Sequence, residues 1–192
     1  MDRVDSRTFR TITLLLAAVC AVLTGTGIWL GLRFSAALGG YPVQQLLLGD
    51  YEAPDVVLLR ELLSRASGEA RNLFFWMYAG ADMVLPAAFA LLGVLLIARL
   101  APGGRIYGMP VTRKILGALL VLPIAYAIAD YAENIVSLLY FTTEAPSAWI
   151  LANAPDLLPW LGRSKMALFL LTAVVIVRFF LLHPSRAGRR AD

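Results

Sequence analysis

Four long runs of apolar residues follow one another along the chain, separated by segments rich in charged residues, proline and glycine. A helix needs about 20 such residues to cross the hydrocarbon core of a bilayer. The pattern predicts an all-α fold, a four-helix transmembrane bundle with spans at residues 11–33, 72–98, 115–141 and 159–182. Nothing predicts a second unit, so we expect residues 1–192 to form a single membrane domain.

Two of these runs need a further argument. Residues 11–32 follow a group of arginines, as in a secretory signal, but they are uncharged for longer than the 7 to 15 residues of a signal core, which favours a retained helix. The fourth run contains Arg163, Lys165 and Arg178, so its assignment requires these long side chains to extend toward the interfaces.

Small residues in and after the first span predict a packing face and the end of the helix. Thr24, Gly25, Thr26 and Gly27 indicate a face where a neighbouring helix packs closely, in preference to a ligand groove. Gly39 and Gly40 are expected to end the helix.

The segment between the first two spans, residues 41–72, predicts an amphipathic helix that begins near Pro54. Val56, Leu59 and Leu63 share one face of it, whereas Glu61 lies opposite. Such a helix suits the outer membrane interface or the mouth of the bundle. A lid is the alternative to a plain surface helix.

The distribution of basic residues predicts the orientation. With the N-terminus inside, eleven basic residues lie on the cytoplasmic side and six on the outer side. The inner eleven are Arg3, Arg7, Arg10, Arg99, Arg105, Arg113, Lys114, Arg178, Arg186, Arg189 and Arg190. The positive-inside tendency therefore predicts a multi-pass protein of the cytoplasmic membrane with both termini in the cytoplasm.

Composition limits the partners. Hydrophobic residues make up 59% of the chain and charged residues 16%, which indicates that the lipid bilayer is the main partner. The net charge of +4 comes from arginines that flank the apolar runs, so no nucleic-acid partner is expected. Because the chain has one cysteine, Cys20, and one histidine, His183, we predict no metal site built from these residues, and no cofactor is indicated.

Three carboxylates lie inside the predicted spans: Asp82, Asp130 and Glu133. A charge at the centre of a bilayer costs about 2.5 to 3.5 kcal/mol on insertion scales, so each must be hidden and partnered. At 1.5 Å per residue, all three fall roughly 5 to 9 Å on the outer side of the midplane. We therefore expect them to meet in one layer.

The third span carries a polar stripe at spacings of three and four, which should face the bundle interior. Its members are Tyr126, Asp130, Glu133, Asn134 and Ser137. The opposite face, with Ile128, Ile135 and Leu139, suits lipid. Because two carboxylates one turn apart repel each other, either one holds a proton or a cation lies between them. That cation is Arg163, Lys165 or a bound metal ion.

A resemblance adds a fold expectation. The combination of Arg71, Tyr78, Asp82 and Pro86 with Pro123, Asp130, Glu133 and Asn134 resembles a pattern in uncharacterised bacterial four-helix membrane proteins. It covers the two middle spans. No activity is known for that group, so the resemblance implies no chemistry.

The sequence is compatible with three functions. The first is an outward-facing pocket, lined by Asp82, Asp130, Glu133 and Asn134, that binds a small ligand, a lipid head group or a cation. If it is an enzyme, one carboxylate acts as general acid or base and Lys165 or Arg163 holds an anionic group. The second is a small proton-coupled transporter that works as a homodimer, and the third is an assembly subunit whose polar stripe packs against other helices.

Overall fold

The computed structural model describes residues 6–41, 50–102, 104–106 and 108–182 of the chain. The helices are α1 Ser6–Ala37, α2 Ala53–Arg65, α3 Gly68–Trp76, α4 Asp82–Leu100, α5 Arg113–Phe141 and α6 Ala148–Leu182, with a π-helical turn, Met77–Ala81, between α3 and α4. Strands β1 Arg105–Ile106 and β2 Met109–Pro110 form a short antiparallel hairpin between α4 and α5.

The predicted all-α bundle is confirmed. Four helical runs are long and apolar enough to cross a membrane: Arg7–Ala37, Gly68–Leu100, Arg113–Phe141 and Ala148–Leu181. The second run joins α3, the π turn and α4 into one span. Helices α4, α5 and α6 pack against one another, while α1 packs mainly along α3 and α4.

Some sequence predictions lie outside the described residues. These are the orientation argument from Arg3, Arg186, Arg189 and Arg190, the position of His183, and residues 42–49 of the segment before α2.

Helix α1 ends as the sequence predicts. Gly39 and Gly40 have φ angles of 71° and 95°, in the left-handed region that glycine adopts without a steric penalty. The Gly40 N–H then donates to the carbonyl of Ser35, at 2.9 Å, which satisfies a carbonyl of the last helical turn. The close packing predicted at residues 24–27 is not present, since a Cβ added at Gly25 or Gly27 meets nothing within 4 Å.

Helix α2 confirms the predicted amphipathic helix. Its apolar residues Val56, Leu59 and Leu63 are buried in the same core as Phe34 of α1 and Phe74 of α3. This buried apolar face holds α2 against one end of the bundle. The face of α5 opposite its polar stripe is exposed to the surroundings of the bundle, since Ile128 on it is 64% exposed.

Helix α6 begins earlier than the sequence predicts. We expected Pro159 to be its first helical position, but the helix starts at Ala148 and passes through Pro155 and Pro159. The Ser147 hydroxyl accepts from the N–H of Ile150, at 3.3 Å, and so caps the helix. The turns that contain the prolines are held by packing, since Ile150, Ala154 and Leu158 form a buried stripe against the α2 side of the core.

One glycine sets the distance between the three central helices. A Cβ on Gly93 of α4 would lie 2.9 Å from Cβ of Pro123 in α5 and 3.4 Å from Cγ2 of Thr172 in α6. Because 2.9 Å is closer than carbon atoms normally approach, only glycine fits here without moving a helix. The polar stripe of α5 lies on the same side of that helix, and all five members are buried as predicted.

Candidate functional site

Lys165 of α6 lies between two carboxylates of α5. Its Nζ is 3.0 Å from Oδ1 of Asp130 and 2.5 Å from Oε2 of Glu133. The carboxylate side chains are 5% and 1% exposed, and that of the lysine is 13% exposed. The cation that separates these two acids is therefore a lysine of the chain itself.

Arg163, the other candidate cation, lies outside this group. Its guanidinium is paired with the exposed carboxylate of Glu52, just before α2, and its Nη2 is 3.5 Å from the carbonyl oxygen of Tyr51. On a helix, residues two positions apart face different directions, which explains why only one of the two cations points inward. Arg163 thus fixes the segment before α2 against α6.

A tyrosine that was not predicted as a site residue enters the cluster from that segment. Tyr51 is 4% exposed, and its Oη lies 3.1 Å from Oε1 of Glu133 and 3.0 Å from the carbonyl oxygen of Leu158. Burial and the nearby charge of Glu133 raise the pKa of Tyr51. The hydroxyl therefore keeps its proton and acts as a hydrogen-bond donor.

Tyr126 holds the second carboxylate. Its hydroxyl donates to Oδ2 of Asp130, at 3.1 Å, one turn further along α5. The ring of Tyr126 packs against Phe89 of α4 and Phe169 of α6, with centroid distances of 4.9 Å and 6.0 Å. The aromatic contacts keep the phenol in place, so Asp130 has a donor on one oxygen and Lys165 on the other.

Asn134 connects the cluster to α4 through a carbonyl that a proline leaves free. Pro86 has no N–H, so the carbonyl of Asp82, four residues earlier, lacks its helical partner. The side-chain Nδ2 of Asn134 donates to that carbonyl at 2.9 Å. The other amide atom, Oδ1, is buried and has no hydrogen-bond partner among the described residues.

Asp82 completes the layer of acids. Its carboxylate is half-buried and interacts electrostatically with Lys165, Asp130 and Glu133. Within the described part of the chain, no basic side chain lies within 4 Å of it. The π-helical turn that ends at Ala81 directly precedes Asp82, and such turns are frequent at functional sites because they change the register of the side chains that follow.

Tyr78 lies inside the same turn and is one of the residues that carry the resemblance. It is 6% exposed, interacts electrostatically with Glu133 and Lys165, and hydrogen-bonds with Ser137 of α5. Tyr78 and Asp82 are one helical turn apart and precede a proline. This spacing is a sequence signal that could have identified Tyr78 as a candidate site residue.

The charges of this cluster do not balance. Three carboxylates, Asp82, Asp130 and Glu133, share one ammonium group, that of Lys165. In a low-dielectric interior, an uncompensated charge costs several kcal/mol. At least one further positive charge, either a proton or a cation, is therefore needed at this site. No three His, Cys, Asp or Glu side chains converge into a metal-ligand set within the described ranges.

A cavity of about 320 Å³ lies elsewhere, where α2, the start of α3 and the end of α5 meet. The candidate site residues predicted from the sequence do not line it; these are Asp82, Tyr126, Asp130, Glu133, Asn134, Arg163 and Lys165. The acids are instead packed among hydroxyl groups and the lysine.

Comparisons with protein-family models, with curated proteins and with solved structures found no match.

Proposed function

We propose that the chain is an integral protein of the cytoplasmic membrane, with both termini in the cytoplasm, whose buried cluster binds one further positive charge at Asp82. The ligand is a proton or a small monovalent cation. The observation that carries this proposal is the ratio of three carboxylates to one lysine.

The position of Asp82 supports its choice as the binding residue. Asp130 and Glu133 each have Lys165 and a tyrosine hydroxyl as partners, whereas Asp82 has no ion pair among the described residues. Oδ1 of Asn134, on the side chain that bonds the Asp82 carbonyl, is a second acceptor without a donor. A carboxylate and an amide oxygen together suit a proton or a small cation, because both groups bind positive charge through oxygen.

The direction of access follows from the orientation that the basic residues favour. In that orientation the start of α3, the end of α5 and helix α2 lie on the outer side. Tyr51 contacts the cluster through Glu133, and the next residue, Glu52, forms the exposed ion pair with Arg163. A ligand therefore enters from the outer leaflet, beside the segment that precedes α2.

The experiment is a titration of the purified protein in a neutral detergent. Melting temperature is followed while sodium, potassium or ammonium chloride is added at constant ionic strength, and again while the pH is lowered. The variant is Asp82→Asn, and Asp156→Asn, at an exposed position in the first part of α6, is the matched control.

We expect the wild type and the control to be stabilised by at least one of these cations or by added protons, and Asp82→Asn to lose that response. The same response in Asp82→Asn and in the wild type would contradict the proposal. If no cation and no pH change affects any of the proteins, the cluster is a packing network, as in an assembly subunit.

A second candidate is a proton-coupled transporter that works as a dimer. The excess of carboxylates favours it, because a carrier must bind and release protons during its cycle. The exposed face at Gly25 and Gly27 of α1 is open to a second copy, since small residues allow close helix contact. A stable dimer in detergent supports this candidate, and a strictly monomeric protein eliminates it.

A further inference from the structure

The cavity of about 320 Å³ has a lining with two different chemical characters. The lining includes two guanidinium groups, from Arg60 of α2 and Arg71 of α3. It also includes an aromatic wall that consists of Phe74, Phe75 and Phe141. Neither part belongs to the cluster around Lys165, so the cavity is a separate candidate site.

Arg60 is held in position by α5. It donates to the carbonyl of Tyr140, and its guanidinium carbon lies 4.6 Å from the centre of the Tyr140 ring. A guanidinium has five N–H groups, so several remain available to a ligand. The residue therefore places a fixed positive charge at the cavity wall.

Arg71 has no hydrogen bond or ion pair from its side chain to any residue in the described ranges. It lies one turn into α3, next to the aromatic wall. The lining also includes one carboxylate, Glu144. Two arginines and one carboxylate leave a net charge of about +1 at the cavity, which favours an anion with a single negative charge.

The aromatic wall determines which class of anion fits the cavity. Phe74 is fully buried, whereas Phe75 is 42% exposed and so offers apolar surface that a ligand can reach. Both follow the first turn of a membrane-spanning helix, at the level where aromatic side chains meet lipid head groups. An anion attached to an apolar chain can place its charge on the arginines and its chain along the phenylalanines.

We propose that this cavity binds the head group of an anionic amphiphile, with a phosphodiester or similar monoanion between Arg60 and Arg71 and the first part of the apolar chain on Phe74, Phe75 and Phe141. Arginine suits this role because its planar fork donates two parallel hydrogen bonds to phosphate oxygens. The proposal does not depend on what binds at Asp82.

The test compares three additives by their effect on the melting temperature of the full chain in a neutral detergent. These are phosphatidylglycerol, which is anionic, phosphatidylcholine, which is zwitterionic, and inorganic phosphate without an apolar chain. The variants are Arg71→Gln and the double change Arg60→Gln with Arg71→Gln. Arg65→Gln is the control, because Arg65 lies on α2 but is paired with Glu61 and does not line the cavity.

We expect phosphatidylglycerol to raise the melting temperature of the wild type and of Arg65→Gln more than phosphatidylcholine does. Loss of one charge-assisted contact should weaken this binding roughly tenfold in Arg71→Gln. Arg71→Gln is informative even if the double variant does not fold, because its side chain holds no contact that the described fold needs.

Equal effects of the two lipids on the wild type overturn the proposal, and so does an unchanged response in Arg71→Gln. If inorganic phosphate alone reproduces the effect of phosphatidylglycerol, the apolar wall contributes nothing and the assignment to an amphiphile is wrong.

Discussion

Nζ of Lys165 lies 2.5 Å from Oε2 of Glu133, at a place where the glutamate side chain is 1% exposed. The two residues belong to different helices, α6 and α5, so their ion pair fixes how these helices face each other. Asp130 shares the same ammonium group at 3.0 Å. One lysine therefore compensates the charge of two buried carboxylates.

Removal of that ammonium group should be costly. Lys165→Met leaves two buried carboxylates without a cation, and breaking a buried pair in this way typically costs about 3 to 5 kcal/mol. We expect that loss in the free energy of unfolding, measured by denaturant titration in mixed micelles. Arg163→Gln is the control, since its exposed pair with Glu52 contributes about 1 kcal/mol or less. Equal losses of unfolding free energy in the two variants would mean that the buried ion pair contributes no more to stability than the exposed one.

Tyr51 should link the segment before α2 to the cluster. Tyr51→Phe removes the one hydroxyl proton that Glu133 and the Leu158 carbonyl share, so stability should fall by about 1 to 3 kcal/mol. Hydrogen exchange of α2 should become faster. Tyr41→Phe, where the hydroxyl makes one long contact of 3.4 Å to the Asp55 carbonyl, is the control and should change little.

The same tyrosine predicts a pH dependence with a definite sign. Burial and the charge of Glu133 raise the pKa of Tyr51 above the unfolded value of about 10. Its contribution to stability is therefore fully present below about pH 10 and is lost above it, because only the unfolded chain then releases the proton. The alkaline decrease in melting temperature should be less steep in Tyr51→Phe. An identical decrease in both proteins would contradict the buried position of the phenol.

Gly93 should tolerate no side chain. A methyl group there would lie 2.9 Å from Cβ of Pro123, so Gly93→Ala must separate α4 from α5 and should cost about 1 to 3 kcal/mol. Gly117→Ala, on α5 with nothing within 4 Å of the added atom, should be neutral or stabilising because alanine favours the helix. A stable Gly93→Ala protein would show that the helices are less tightly packed than described.

The orientation can be checked by labelling single cysteines in a Cys20→Ser background. Cysteine at Glu144, between α5 and α6, should react with a membrane-impermeant maleimide in intact cells. Cysteine at Lys114, in the first turn of α5, should react only after the membrane is opened. The reverse pattern would place the cluster in the inner leaflet.

The positions of the helices could be predicted from the sequence where the length of an apolar run determines them. The exception is the start of α6, because a proline is equally suited to the first turn and to an interior turn that packing supports. Ser147 was the available signal, but its capping role depends on where the chain turns after α5. Gly25 and Gly27 predicted a close helix contact that the monomer does not make, since small residues indicate where packing is possible and not that it occurs.

The members of the cluster were predictable only in part. Asp82, Asp130, Glu133 and Asn134 stand out because charge and amide groups are rare inside spans. The choice of Lys165 over Arg163 depends on the rotation of α6, which the sequence leaves open. Tyr51 lies far from the acids along the chain, and only the docking of α2 brings it there. The bond from Asn134 to the Asp82 carbonyl was accessible in principle, since Pro86 leaves that carbonyl free.

The most direct test of the extra positive charge at Asp82 is infrared spectroscopy of the carboxyl groups in the purified protein near neutral pH. Without added cations, we predict a band from a protonated, buried carboxyl group that is present in the wild type and in Asp156→Asn and absent from Asp82→Asn. A ligand cation that displaces the proton should remove the band from the wild type. The account is contradicted if the wild type has only ionised carboxylates with no bound cation, or if the band persists in Asp82→Asn.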